Sequence, residues 1–150
     1  MAFANQPKER EKADRKRHKA KKEAIRDNDR GYWLKKAQAA FNAFIRARDD
    51  GSTCISCDRT TGSKKNAGHY RSVGACPELR FEELNAHLQC EHCNSYNSGN
   101  IVEYRPRLKA KIGADKLAWI EGPHEPKKYT VADLKQIELT YKQKLKELTE

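Results

Sequence analysis

Along much of this chain the apolar positions recur every three or four residues, the period of a helix with one buried face. The clearest case runs from Tyr32 to Arg48, where Trp33, Ala37, Ala40, Phe41, Phe44 and Ile45 share a face. That stripe predicts a helix packed against a core or a second subunit, with Asp49, Asp50 and Gly51 ending it. Trp33 reads as a packing residue in preference to a stacking platform. A second stripe, Val131, Leu134, Ile137, Tyr141, Leu145 and Leu148, predicts a C-terminal helix. Thr130 and Asp133 resemble its capping box, with Asp in the third place instead of Glu. From Thr130 to Glu150 four basic residues meet four acidic ones, so this helix is expected to pack or to dimerise. Between the stripes, Val102, Leu108, Ile112, Leu117, Trp119 and Ile120 predict two short helices, broken near Gly113 and ended at Gly122-Pro123.

Two stretches depart from that period. Residues 7–30 have 11 Lys and Arg against 6 Asp and Glu, a net +5, with helix-forming composition and no apolar stripe. No core can fix such a segment. It is expected to be a basic, helical or flexible arm that follows phosphates, or simply a solvated helix. Residues 51–101 read as strand and loop: Asn66 to Ser72 as a short strand, Leu79 to Phe81 as its partner, SVGACPE between them. A short helix should start at Cys90 and end at Gly99. Residues 58–65 form a polar turn whose Lys64 and Lys65 are placed to meet a phosphate. The expected class is α+β, laid out as an arm (1–30), an amphipathic helix (31–50), a small core (51–101) and a C-terminal helical region (102–150).

Composition narrows the function. With 150 residues, 35% of them charged, the chain is too polar for a large apolar core throughout. A small stapled core with long solvated helices is the expected solution. The net charge of +10 points to a polyanion, most plausibly nucleic acid. The N-terminal sequence has no apolar signal region and no run reaches the roughly 20 apolar residues of a membrane span. A bacterial cytoplasmic, nucleoid-associated protein with no membrane partner is expected.

Five cysteines, an odd number, argue for metal over disulfides. Four form two CxxC pairs, Cys54/Cys57 and Cys90/Cys93, separated by roughly 30 residues. Thiolates two residues apart on a tight turn reach one ion, and two such knuckles complete an S4 site that suits Zn2+. Cys76 lies outside both pairs and reads as an idle or buried thiol, since a filled S4 site has no vacancy.

Between and after these pairs, NAGHYRS and LRFEELNAHLQCEHCNSYNSGN resemble the core of the lambdoid phage NinG/Rap recombination proteins, structure-specific endonucleases of the HNH, or ββα-metal, class. YWLKKAQAAFNAFIRARD, YRPRLKAKIG and the YKQKLKEL helix extend the likeness over most of residues 30–150. More distantly the chain is similar to phage junction-resolving endonucleases in which four cysteines hold zinc and the asparagine after the last cysteine binds a catalytic metal. The resemblance implies a zinc-stapled ββα-metal (His-Me finger) core. It makes His69 the general base, Asn94 a ligand of catalytic Mg2+ or Mn2+, and Asn85 the residue that braces the loop and holds the base. Read without it, His69 is equally a structural histidine and Asn94 a helix cap. The position before the base, usually a metal-binding Asp or His, is Gly68 here. Asn66, His92 and, better placed, His87 are reserve ligands. Arg71 and Arg80 are candidate phosphate clamps or ordinary surface arginines, and Arg105 and Arg107 add basic positions for DNA.

The resulting expectation is a metal-dependent endonuclease cutting branched DNA such as Holliday junctions and D-loops. Symmetric cutting implies a homodimer, with the Trp33–Ile45 stripe and the C-terminal helix as candidate interfaces. Two other readings stand beside it: a zinc-stapled DNA-binding module without activity, and an HNH nuclease of ordinary duplex.

Overall fold

A computed structural model describes residues 6–60 and 64–150, so residues 61–63 of the polar turn and the first five of the arm lie outside the described residues. Five helices are α1 (Gln6–Asp27), α2 (Arg30–Arg48), α3 (Ile101–Ile112), α4 (Ala114–Glu121) and α5 (Val131–Thr149). Two strands, β1 (Lys65–His69) and β2 (Ala86–Cys90), lie between α2 and α3. Helix α1 is exposed from Pro7 to Asp27, as a charged segment without an apolar stripe should be. It stops before Asp29, whose carboxylate accepts the Tyr32 N–H at 3.1 Å and starts α2.

The two apolar stripes find each other. Phe41 meets Tyr141 edge to face at 4.9 Å, and Ala40, Phe44, Ile45 and Ala86 complete that cluster. Ala37 packs with Leu134 and Tyr129 alongside it. The surfaces expected to serve self-association are therefore largely consumed within one chain. Trp33 is half-buried against the Ala37 cluster and its indole N–H donates to the Asp27 carbonyl at 3.2 Å. The capping box of α5 forms with aspartate: Asp133 Oδ2 accepts the Thr130 N–H at 2.8 Å, and Thr130 Oγ1 accepts the Asp133 N–H at 3.1 Å.

Strand pairing differs from expectation. β1 pairs antiparallel with β2, from Lys65 opposite Cys90 to His69 opposite Ala86. Leu79 to Phe81 is no strand: Pro77–Leu79 forms a 3-10 turn, and Leu79 plugs the core beneath α3 and α4. The true partner, AHLQC, is buried at every position, so it lacks the alternation that marks a half-exposed strand. A second core of Ile55, Tyr70, Leu79, Tyr104, Leu108, Leu117 and Ile120 lies under α3 and α4, which Gly113, at φ +91°, separates.

A buried ionic hub joins α2 to this sheet. Asp49, 4% exposed, accepts the Leu88 N–H at 2.9 Å and pairs in two places with the Arg48 guanidinium. Arg48 also donates to the carbonyls of Glu83 (3.0 Å) and Ala86 (2.8 Å). Burial alone would raise the Asp49 carboxyl, but the His87 ring beside it (Nδ1 at 3.6 Å) and hydrogen bonds from Arg48 and the Leu88 N–H hold it well below the usual carboxylate range. Asp49→Ala leaves the half-buried Arg48 guanidinium and the buried Leu88 N–H without their carboxylate and should cost about 3–5 kcal/mol, read from urea unfolding. Asp50→Ala, on the exposed neighbour, should stay within about 0.5 kcal/mol.

Candidate metal centre and adjoining cleft

The Cys54–Cys57 turn docks on the sheet through the Ile55 N–H, which donates to the Leu88 carbonyl at 3.0 Å. β2 ends on Cys90, and a π-helical turn (His92–Tyr96) begins just past it, which places Cys93 back toward the same point. The sulfurs of Cys54, Cys57, Cys90 and Cys93 all lie within 4.8 Å of one another, and Cys57 and Cys90 are 3.7 Å apart. A Zn–S bond of about 2.3 Å puts tetrahedral sulfurs about 3.8 Å apart. The donor set and spacing therefore fit zinc. Sulfur acceptors are bonded as metal thiolates usually are: the Cys93 N–H points at Cys90 Sγ (3.4 Å) and Asn100 Nδ2 at Cys93 Sγ (3.5 Å). Cys76 is buried elsewhere, in the core under α3 and α4. Arg107 supports the first knuckle by donating to the Ser56 carbonyl.

Beside this cluster lies a cleft of about 540 Å³ lined by Ala67, His69, Arg71, Asn94, Gly99 and Ile101 among others. His69 and Asn94 thus face one space, although they come from β1 and from the π-helical turn. His69 Nε2 donates to the Arg80 carbonyl at 2.8 Å, which fixes the tautomer and leaves Nδ1 as the acceptor nitrogen. Burial pushes the pKa of this imidazole below its usual value, so the ring is neutral near pH 7. Asn94 is half-buried, and its amide has no hydrogen-bond partner among the described residues. It sits inside the turn that follows Glu91, so it is not that turn's cap.

Asn85 is fully buried and ties the loop closed: its side chain accepts the Arg71 N–H (2.8 Å) and donates to the carbonyls of Arg71 (3.0 Å) and Leu79 (3.2 Å). Its own carbonyl accepts the Tyr70 N–H at 2.8 Å, next to His69. Gly68 has a packing reason. A Cβ there would lie 2.0 Å from Gln89 Oε1, and the Gly68 carbonyl accepts the Tyr104 hydroxyl at 2.8 Å. The side chain of Gln89 fills the space an aspartate would need.

Other expected site residues go elsewhere. His87 is 3% exposed, with Nε2 at the Leu84 carbonyl (3.0 Å) and Nδ1 against Arg48 (3.1 Å). Both nitrogens are engaged within the Asp49 hub, so His87 is not a spare ligand. Arg80 gives the site its carbonyl; its guanidinium turns to Gln38 Oε1 (3.2 Å) and does not line the cleft. Arg71 does line it, while anchoring to the carbonyls of Ile120 (3.1 Å) and Gly122 (2.9 Å). Arg105 is held in a two-point pair with Glu121 (2.7 and 2.9 Å). Lys64 and Lys65 are exposed in loose pairs with Glu91 (3.6 Å) and Asp50 (3.5 Å), of the kind a phosphate can displace. His92 is exposed, its ring tilted 30° from that of Tyr96 with the centroids 6.1 Å apart. Sequence reasoning missed Gln89, Arg48 and Asp49. An Asp-Asp pair at a helix end gives no sign that one member is buried.

The model of the family described as "Bacteriophage Lambda NinG protein" matches residues 2–150. The chain is 42% identical to protein ninG of Escherichia phage 933W over 160 aligned positions, covering 99% of this chain and 80% of that protein. It is 48% identical to the ninG proteins of Escherichia phage lambda and Salmonella phage P22 over 119 positions, 79% of this chain and 58% and 59% of theirs. No solved structure matches. Among the described residues no helix is long and apolar enough to cross a membrane.

Because a metal held by these four cysteines would join the first knuckle, β2 and the π-helical turn, its removal by chelation or Cys90→Ser should unfold residues 51–101. Far-UV circular dichroism and a zinc content of about one per chain would check this.

Proposed function

The chain belongs to the NinG family of lambdoid phage proteins, and from that premise and the geometry of the cleft we propose that it is a metal-dependent endonuclease of the HNH, ββα-metal type that cuts branched DNA during phage recombination. The observation that carries the reading is the meeting of His69 and Asn94 at one cleft beside a four-sulfur cluster. β1, β2 and the π-helical turn after Cys90 correspond, in this reading, to the two strands and the helix of such a core.

In this reading His69 Nδ1 accepts the proton of a water lying between it and a phosphate in the cleft. The Arg80 carbonyl keeps the proton on Nε2 and steadies the imidazolium that forms. The hydroxide attacks phosphorus, the bond to the 3′ oxygen breaks, and that oxygen takes a proton from solvent. Asn94 offers a hard amide oxygen suited to Mg2+ or Mn2+. Such an ion, when bound, supplies positive charge for the nonbridging and leaving oxygens. Arg71 keeps free N–H donors beside its two carbonyl contacts, so it can hold the phosphate as well. Asn85 acts through the loop it closes and not on the substrate. The basic helix α1 adds sequence-independent attraction to the duplex arms. Paired incisions across a junction need two such clefts, so the reading includes a homodimer. Gly68 favours the rival reading of an inactive zinc-stapled DNA binder, because it leaves Asn94 as the one hard ligand of the expected set at the cleft.

His69→Ala should lower nicking of a four-way junction in Mg2+ or Mn2+ by roughly 100-fold or more while gel-shift affinity holds. Equal binding with cleavage by neither protein would favour the inactive binder, and equal cutting of linear duplex would remove the branched substrate. The base works only when neutral and its pKa is lowered, so activity should be lost on the acid side with a midpoint below about 6.5. A chain lacking residues 1–28 should bind more weakly with a shallower salt dependence, read from affinities across a salt series, and still cut at low salt.

A further inference from the structure

Tyr96 carries the most exposed aromatic ring among the described residues, at 77%. It lies in the same π-helical turn as Asn94, two positions further on. The backbone behind it is tied down: the Asn97 N–H donates to the His92 carbonyl and the Gly99 N–H to the Cys93 carbonyl, each at 2.9 Å. Ser98, Gly99 and Asn100 then take left-handed conformations in succession, at φ 48°, 85° and 45°, and turn the chain into α3. At the start of α3, Ile101 lines the cleft that His69 and Asn94 share, and Val102 is 83% exposed. The turn that carries the cleft residues Asn94, Ser98 and Gly99 thus also carries the exposed Tyr96 ring, and it leads into Ile101 at the cleft and Val102 outside it.

This segment has no core to fill. It also contains no charged residue from Asn94 to Val102, in a chain that is 35% charged. A surface for phosphates would carry Lys or Arg; this one offers a ring, methyl groups and the amide and hydroxyl groups of Ser95, Asn97 and Ser98. We infer that Tyr96 is a stacking platform for one unpaired nucleobase of the strand whose phosphate enters the His69–Asn94 cleft, with Ile101 and Val102 as the apolar edge that keeps that base out of the duplex. The inference rests on the nuclease reading and deepens it, since a base beside the scissile phosphate stacks on protein at least cost where the duplex is interrupted, and taking it out of continuous duplex costs its stacking energy. Linear duplex yields such a base only at that cost, so Tyr96 sorts substrates without touching the proton or the metal ligand. The platform needs only a flat ring: phenylalanine should serve and alanine should not.

The test uses the full chain with Tyr96→Ala and Tyr96→Phe, each checked for unchanged zinc content and melting. A four-way junction with 2-aminopurine next to the branch point reports stacking by fluorescence in Ca2+, with no need for cleavage. Wild type and Tyr96→Phe should quench the probe to the same extent and Tyr96→Ala should not. In Mg2+ or Mn2+, Tyr96→Ala should lose about 5- to 150-fold in junction cutting with unchanged affinity for linear duplex. Equal quenching by all three proteins, or an equal loss of affinity for junction and duplex, would overturn the inference. Sedimentation showing that Tyr96→Ala dissociates a dimer without changing the fluorescence would assign this surface to a second copy of the chain and overturn it too. If no substrate is cut by wild type the nuclease reading fails, while the fluorescence still decides whether a base sits on Tyr96.

Discussion

The convergence of four sulfurs within 4.8 Å sets the geometry of everything else at the site. A two-stranded sheet of five residues each cannot hold its own shape in water. Cys90 ends one of those strands and Cys93 lies in the next turn, so whatever binds the sulfurs fixes the angle between them. Asn94 follows immediately and has no freedom to wander. On the far side of the pair, the Cys54–Cys57 turn adds its backbone to the open edge of β2 and, through Arg107, is tied to α3. A metal such as zinc held by these sulfurs would give a chain with few apolar residues a rigid centre in place of a large core.

A second constraint, the buried Asp49–Arg48–His87 hub, sets where that centre sits. Placed at the C-terminal end of α2, it satisfies the carbonyls of Glu83 and Ala86 and the N–H of Leu88 together. The long α2–α5 pair is thus locked to the sheet by polar groups at one end and by Phe41, Phe44 and Tyr141 along its length. His69 lies where these layers meet, its ring 5.8 Å from that of Phe41, which explains both its burial and its lowered pKa.

Periodicity made the helices legible, because α2 and α5 are buried on one face only and their stripes survive in the sequence. The break at Gly113 and the Thr130 cap were readable for the same local reason. β2 was hidden because it is buried on both faces, and Leu79–Phe81 passed for a strand because its apolar residues plug two different clusters. The cysteine spacing announced the cluster. Residue types alone could not tell His69, one nitrogen free, from His87, both nitrogens used; only the fold separates them. Gly68 looked like a defect in a motif, and the contact with Gln89 gives it a steric cause.

In the proposed reaction a cation and a neutral imidazole act on one phosphate from the two walls of this cleft. Anomalous diffraction from crystals soaked in Mn2+ measures it most directly. A manganese peak is expected in the cleft, at the Asn94 amide oxygen and separate from the four sulfurs, on the side that His69 faces. Manganese absent from the cleft in well-ordered crystals, with Asn94 and His69 turned away from each other, would contradict it.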